Sequence, residues 1–249
     1  MRVARPIDVD PLSACSGLAP GVTDLPIDRI AATVHPTDEQ LRALEVLRAA
    51  SLQARDVLKA SCSNEVSLTP VGRLDTVQKR LDGMIQTLAI VRTPLDNFYN
   101  SLTEDQRRRF EAIGPTPGAG PSRRVATSGL ANDLVALCAR RAEGFTQLPV
   151  QRVEQIVQPT PQQQDAFSKL KTASSDAANI LQASCPSQTP QTPLDRFDAS
   201  EKRLNAMAGA IKIVRPALEA FYLSLSDEQK ARFNTLGPPQ DGAPRSPQG

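Results

Sequence analysis

The sequence lacks tryptophan, has a single histidine and is poor in aromatic residues, which make up only 4% of its 249 residues. Because aromatic and β-branched residues favour strands, their scarcity favours helices. An excess of one charge is also absent, since 29 Lys and Arg face 27 Asp and Glu. We therefore expect no nucleic-acid partner. No apolar run approaches the roughly 18 to 20 residues of a membrane span, so we do not expect a membrane-spanning protein.

What the sequence does contain is an internal repeat. A shift of 123 positions aligns the two halves of the chain as far as Gly114 and Gly237. A Gly-, Pro- and Ser-rich stretch separates the halves, as is typical of a linker. We predict two copies of one domain, at 8–114 and 131–237, joined by a linker at 115–130 and followed by a disordered tail at 238–249. Matching segments include Cys15 with Cys138, Ala60-Ser61-Cys62 with Ala183-Ser184-Cys185, and Phe98-Tyr99 with Phe221-Tyr222.

Each copy contains two segments in which a Ser or Thr is followed three positions later by Gln. This is the capping-box pattern, in which the hydroxyl accepts from the third helical N–H and the Gln side chain accepts from the N–H of the capping residue. Acidic residues in the first turn of several of these segments offset the helix dipole. We predict a helix start at each, namely at Thr37 with Gln40, Thr103 with Gln106, Thr160 with Gln163, and Ser226 with Gln229.

Apolar residues recur at helical spacing after these caps. In the first copy we predict one long helix from about Asp38 to Ala60 and a second that begins near Pro70. Pro94, and Pro216 in the other copy, should kink the second helix or begin a new one. Short helices near 27–34 and 104–113 complete an all-α fold of two tandem helical-hairpin domains, each with about four helices. The residues assigned to the core are Leu41, Leu44, Leu47, Ala54 and Leu58 in the first helix and Leu74, Val77, Leu81, Met84, Leu88, Val91, Leu95, Phe98 and Leu102 in the second.

Four cysteines occur as one pair in each copy, Cys15 with Cys62 and Cys138 with Cys185. None forms a C-x-x-C motif, so we expect neither a zinc knuckle nor a redox-active dithiol. An even count that is duplicated with the domain favours one disulfide within each copy, Cys15–Cys62 and Cys138–Cys185, among three connectivities. Such bonds indicate an oxidising compartment such as a bacterial periplasm. Four buried reduced thiols are the alternative. The first residues show no apolar segment of a signal peptide, so export is inferred only indirectly.

The first copy also contains Leu102-Thr103-Glu104-Asp105-Gln106, and the second contains its variant Leu225-Ser226-Asp227-Glu228-Gln229. These strings, together with the two shorter caps, resemble the LTXXQ-motif family of bacterial periplasmic helical proteins, which includes the Spy and CpxP chaperones. The segments at 92–110 and 215–233 look like the cysteine-containing members from α-proteobacteria. The resemblance covers both copies.

This resemblance implies an ATP-independent chaperone for unfolded or partly folded proteins, or a module that docks on an envelope stress sensor. Family members of this type are cradle-shaped homodimers, so the tandem chain is expected to be a pseudo-dimer or a homo-oligomer. A mixed basic and apolar concave face is also expected. The arginines that recur in both copies are candidates for client binding, with a solvated helix face as the alternative, and they are Arg73, Arg80, Arg92, Arg196, Arg203 and Arg215.

Sequence motifs for catalysis and cofactor binding are missing. His35, the one histidine, is replaced by Gln158 in the other copy, so no His-based catalytic set is duplicated. One His and three Met do not supply the ligand cluster that a metal-sensing relative would need. No glycine-rich phosphate loop is present. We expect a protein that is not an enzyme, with no cofactor and no metal, and a metal sensor remains the third and weakest alternative.

Overall fold

The computed structural model describes residues 25–62, 67–113 and 150–236, and all regular structure in these ranges is helical. Each copy contributes four α-helices, which confirms the all-helical tandem arrangement. In the first copy these are α1 (Ile27–Val34), α2 (Asp38–Ser61), α3 (Pro70–Ser101) and α4 (Glu104–Glu111). In the second they are α5 (150–157), α6 (Gln164–Ala183, preceded by a 3-10 turn at Pro161–Gln163), α7 (Pro193–Ser224) and α8 (Asp227–Asn234).

The helix boundaries follow the local signals closely. Thr37 caps α2 and Thr103 caps α4, each with a complete capping box. Pro70 and Pro193 occupy the first helical position of α3 and α7, where a missing N–H has no cost. Pro94 and Pro216 lie inside α3 and α7, and each helix continues through its proline. The expectation that a new helix could begin there is therefore wrong, because packing on a neighbouring helix offsets one lost backbone hydrogen bond.

Within each copy the two long helices form an antiparallel hairpin. In the first copy, the Thr87 hydroxyl donates to the Ala54 carbonyl, and the Gln40 amide reaches the Ser101 carbonyl at the other end of the pair. The short helices α1 and α4 close one end of the hairpin. The resulting core contains Ile30, Val34, Leu44, Leu47, Val91, Leu95, Phe98 and Phe110.

Two residues that the periodicity assigned to the core are exposed instead. Leu41 is 38% exposed and Val77 is 41% exposed. Leu41 lies at the margin of the apolar stripe of α2, and Val77 lies beyond the part of α3 that α2 covers, because α2 ends at Ser61 opposite Gly83. The prediction of burial was wrong for these two positions.

The two copies pack on each other through α3 and α7. Arg92 of α3 pairs with Asp198 of α7, and Arg215 of α7 pairs with Asp75 of α3. These two ion pairs are equivalent under the 123-residue shift, so the contact has the self-complementary arrangement of a two-fold dimer. The chain is an intramolecular pseudo-dimer within its described residues.

Apolar residues fill the contact between the copies. Leu194 and Phe197 of α7 pack against the core of the first copy, and their equivalents Val71 and Leu74 of α3 pack against the core of the second. Near the centre a smaller cluster joins both copies, with Leu81, Met84 and Leu204 of the long helices among its members. Each hairpin therefore completes its core with residues from the other.

Cys62 and Cys185 follow the ends of α2 and α6, and neither is a free thiol. Cys15 and Cys138 lie outside the described residues, as do the linker at 115–130, the tail at 238–249 and the N-terminal parts of both predicted domains. The disulfide pairing therefore stays a prediction.

Candidate functional site

The four glutamines of the capping motifs are buried and lie in pairs. In the first copy, the Gln40 Nε2 donates to Gln106 Oε1 at 2.9 Å, and Gln106 Nε2 donates back to Gln40 Oε1 at 2.9 Å. Gln40 Oε1 also accepts from the Thr37 N–H, and Gln106 Oε1 accepts from the Thr103 N–H. The amide pair therefore links the N-termini of α2 and α4.

The remaining donors of the pair reach two backbone carbonyls. Gln40 Nε2 donates to the Ser101 carbonyl at 2.7 Å, and Gln106 Nε2 donates to the His35 carbonyl at 3.3 Å. Every donor and acceptor position of both side-chain amides is thus used, as buried amides require. The glutamine pair therefore holds together four helix ends, namely the end of α1, the start of α2, the end of α3 and the start of α4.

The second copy repeats this arrangement with Gln163 and Gln229. Gln163 Nε2 donates to Gln229 Oε1 at 2.8 Å, and the reverse bond is 2.9 Å long. Gln163 Nε2 also reaches the Ser224 carbonyl. At Thr160 the N–H of Gln163 bonds to the backbone carbonyl, as expected for the 3-10 turn there. Spacing along the chain predicted each cap separately and did not predict the pairing, although the presence of two motifs in every copy was a signal for it.

Two of the carbonyls that accept from these glutamines belong to residues with left-handed backbone, since Gln106 donates to His35 and Gln229 donates to Gln158. His35 has φ 52° and Gln158 has φ 51°, and they are equivalent under the repeat. His35 is exposed, as a residue between two helices would be. A non-glycine residue in this conformation carries steric strain of about 1–2 kcal/mol. The hydrogen bonds from the glutamines hold His35 and Gln158 in this conformation, so the junction has a structural role in both copies.

The recurring arginines Arg92 and Arg215 are engaged inside the molecule. Besides the ion pairs across the two copies, Arg92 pairs with Asp96 on its own helix and Arg215 pairs with Glu219. The Arg92 guanidinium also lies 5.6 Å from the centre of the Phe197 ring, within the range of a cation–π contact. The Asp75 carboxylate, through its hydrogen bond, raises the pKa of Arg215.

Of the remaining four arginines, Arg73, Arg196 and Arg203 donate to backbone carbonyls. Arg73 donates to the carbonyls of Asn234 and Leu236 in the other copy. Arg203 donates to the Leu181 carbonyl and the Ser184 hydroxyl, and burial lowers its pKa. Arg196 reaches the Gln191 carbonyl. The buried Nε of Arg80 has no hydrogen-bond partner among the described residues.

Recurrence of the arginines is thus explained largely by contacts within the chain. Arg73, Arg92 and Arg215 hold one copy on the other, and Arg203 bonds the end of α6 to α7. Their role in client binding stays a prediction.

A cleft of about 380 Å³ lies between α1 and α2. Three arginines line it, Arg29, Arg48 and Arg55, together with Asp28 and Leu52. Asp28 accepts a hydrogen bond from Arg48 at 2.7 Å and thereby raises the pKa of Arg48. Asp28 therefore neutralises one of the three arginines that line the cleft.

Large apolar side chains are exposed at several places outside the cores. The exposed fraction is largest for Leu68 and Leu223, at 76% and 69%. Others lie on the outer faces of the long helices, and they are Leu41, Val46 and Leu52 on α2, Val77 on α3 and Ile213 on α7. Surfaces of this kind can bind apolar segments of other polypeptides.

Neither a metal-binding group nor a membrane span was found among the described residues. No three His, Cys, Asp or Glu side chains lie close enough together there to hold a metal ion. No helix in those ranges is both long and apolar enough to cross a membrane.

Comparison with known proteins gives one family. The chain has no match among curated proteins and none among solved structures. The sequence model of the LTXXQ motif family protein matches twice, at residues 22–114 and 145–237. These two matches cover most of the chain and contain both pairs of cap glutamines described above. The chain therefore belongs to the LTXXQ motif family, as a tandem duplicated member.

Proposed function

We propose that this protein is an ATP-independent periplasmic chaperone that holds unfolded proteins and catalyses no reaction. Membership of the LTXXQ motif family supports the proposal, since the resemblance to the Spy and CpxP chaperones extends over both copies. The chaperone would bury exposed apolar surface of a client reversibly, with no nucleotide cycle.

The observation that carries this proposal is the set of exposed apolar side chains on otherwise well-packed helices. Leu223 and Val46 are exposed by 69% and 58% although every hairpin has a closed core. A shallow apolar surface suits weak binding of many sequences, because affinity there comes from removing apolar area from water and needs no specific geometry.

An aggregation assay tests this function. A chemically denatured enzyme without cysteines is diluted into buffer with the full chain, and light scattering follows its aggregation with and without ATP. We expect suppression at a several-fold molar excess of the chain, equal in both conditions. An inert helical protein at the same concentration is the control. Unchanged scattering at that excess, for several clients, would contradict a chaperone function.

We further propose that each copy contains one disulfide, Cys15–Cys62 and Cys138–Cys185, as expected for a periplasmic protein. Mass mapping of proteolytic fragments under non-reducing conditions tests the pairing. The expected result is one cross-linked fragment pair from each copy. Pairing between copies would overturn the assignment, and four reduced thiols after isolation from the periplasm would contradict the compartment as well.

A further inference from the structure

An apolar stripe runs along the C-terminal half of α7. Ile213, Pro216, Ala220 and Leu223 are all exposed. At about 100° per residue, these four positions fall within roughly 80° of the helix circumference, so they share one face. We call this face the α7 stripe. It contains no charged residue.

The α7 stripe is confined to the second copy. The equivalent residues of α3 in the first copy are Ile90, Thr93, Asn97 and Asn100, three of which are polar. Ile90 is half-buried and packs against the core of its own copy. The stripe is therefore not a by-product of the duplicated fold, because the same fold is maintained with polar residues at three of the four positions.

The other exposed apolar residues do not form a comparable face. Leu41 and Leu52 lie on one side of α2, but Glu45 and Arg48 stand between them and form an ion pair. The uninterrupted apolar face of the described residues is thus on α7.

Pro216 adds a polar feature to this face. Because proline has no N–H, the carbonyl of Lys212 lacks its usual helical donor. A peptide N–H that approaches the stripe could supply that hydrogen bond. This favours a polypeptide as the occupant over a molecule that offers only apolar surface.

The size of the α7 stripe favours a short and transient occupant. From Ile213 to Leu223 the helix rises about 15 Å, and with a helix diameter of about 10 Å the face covers on the order of 150 Å². A stable dimer interface buries about 800 Å² on each partner, so a second copy of the chain is too large a partner for this face alone. An extended segment of about five residues would span it, at about 3.3 Å per residue.

We infer that the α7 stripe is the client-binding surface of this protein and that it takes short, uncharged apolar segments of unfolded polypeptides. The two copies are then not equivalent in function, since the first copy completes the fold and only the second presents the binding face. This inference rests on the proposed chaperone function.

The test replaces the stripe with the residues of the first copy. The full chain with Pro216→Thr, Ala220→Asn and Leu223→Asn keeps residue types that the same fold already accommodates at these helix positions. We expect its protection of a denatured client to fall at least five-fold. The matched control is Leu41→Gln with Leu52→Ser, which places the residues of the second copy on α2 and should leave protection within two-fold of the unmodified chain.

A second measurement covers the case in which the triple variant does not fold. A photo-crosslinking amino acid at position 220 of the otherwise unmodified chain should capture a fluorescent apolar peptide without charges. The same amino acid at position 97, the equivalent site, should not. A lysine-rich peptide of equal length is the control for nonspecific capture.

The outcomes separate the two proposals. If the unmodified chain gives no protection at all, the chaperone function fails. If it protects and the folded triple variant protects equally, or if positions 97 and 220 crosslink alike, the function stands and the stripe is not its site. If light scattering shows a dimer of the chain that the triple substitution abolishes, the occupant is a second copy and the inference is overturned.

Discussion

The glutamine of each LTXXQ motif does more than cap one helix. In an isolated capping box, the side chain of this residue satisfies a single backbone N–H. Here Gln106 also exchanges two hydrogen bonds with Gln40 and reaches the His35 carbonyl. The residue is therefore fixed by a network of four elements, and substitution should affect the whole end of the hairpin.

Replacement of Gln106 by leucine tests that network. Leucine has a similar size but removes the two bonds between Gln106 and the Gln40 amide, and it removes the bonds of Gln106 to the His35 carbonyl and the Thr103 N–H. Each unsatisfied buried group costs about 1–3 kcal/mol, so we expect the free energy of unfolding to fall by roughly 2–4 kcal/mol. Urea unfolding followed by circular dichroism measures it. Glu104→Ala in the same motif alters only an exposed side chain and should stay within about 0.5 kcal/mol of the unmodified chain. Equal effects would show that Gln106 is only a cap.

Tyr99 gives a prediction about alkaline pH. Burial, together with the hydrogen bond that its hydroxyl donates to Glu111, raises the pKa of Tyr99 to about 12. In an unfolded chain the pKa of tyrosine is about 10. Because the folded state holds the proton more tightly, this contribution to stability is complete below pH 10 and is lost as the pH rises from about 10 to about 12.

The titration can be measured directly in the Tyr222→Phe variant, in which Tyr99 is the one remaining tyrosine. Phenolate absorbance should appear near pH 12 while circular dichroism still reports helices. Glu111→Gln keeps a hydrogen-bond acceptor and removes the charge, so the midpoint should move down toward 10. A midpoint near 10 in the folded Tyr222→Phe protein would contradict the burial and bonding of Tyr99.

At the scale of the helices, Gly83 sets the distance between α2 and α3. A Cβ on Gly83 would lie well inside contact distance of the Ser61 side chain. The equivalent residue in the second copy is Ala206, and there Arg203 reaches over to the Ser184 hydroxyl. The two hairpins therefore differ at this position. In the first, the two long helices approach each other closely at Gly83, and in the second, Arg203 forms a hydrogen bond between them.

Gly83→Ala should consequently destabilise the first copy. Alanine favours helix by about 1 kcal/mol relative to glycine, but overpacking costs about 1–3 kcal/mol, and we expect a net loss of up to about 2 kcal/mol. The reverse change, Ala206→Gly, should cost only the propensity of about 1 kcal/mol. Thermal unfolding compares the two. Adding Ser61→Gly to Gly83→Ala should recover part of the loss, and no recovery would show that the contact with Ser61 is not the cause.

The long helices also show how well the apolar periodicity predicts which residues are buried. The apolar spacing of α3 correctly assigned Leu81, Leu88, Val91, Leu95 and Phe98 to buried positions. Val77 has the same spacing and is exposed, because it lies beyond the part of the helix that α2 covers. Residue spacing defines a face of a helix, whereas the neighbouring helix decides how much of that face is buried.

For the whole molecule, the duplicated sequence forms a contact with two-fold character inside one chain. Arg92–Asp198 and Arg215–Asp75 are the same ion pair formed twice, and Leu74 and Phe197 are the same apolar contact formed twice. Three of the recurring arginines, Arg73, Arg92 and Arg215, contribute to this contact.

Reversal of charge at the contact should separate the copies. With Asp75→Lys and Asp198→Lys together, each lysine faces an arginine of the other copy, and like charges repel. We expect a larger radius of gyration by small-angle X-ray scattering at low salt, and a partial return to the compact value in about 1 M salt, where the screening length is about 3 Å. Asp165→Lys, on an exposed surface away from the contact, is the control. An unchanged radius at low salt would show that the apolar seam alone holds the copies.

Sequence by itself determined the local features of this protein: the duplication, the helix starts at Thr37, Thr103, Thr160 and Ser226, and the family. These follow from residue types at fixed short spacing, which act within one turn of helix and need no partner. The tertiary structure alone decided that the cap glutamines pair, that Arg73, Arg92 and Arg215 join the two copies, and that the exposed apolar face lies on α7. Each of these depends on which helices meet in space. Residues 61 to 163 positions apart in the sequence form such contacts, and no local pattern encodes the distance between them.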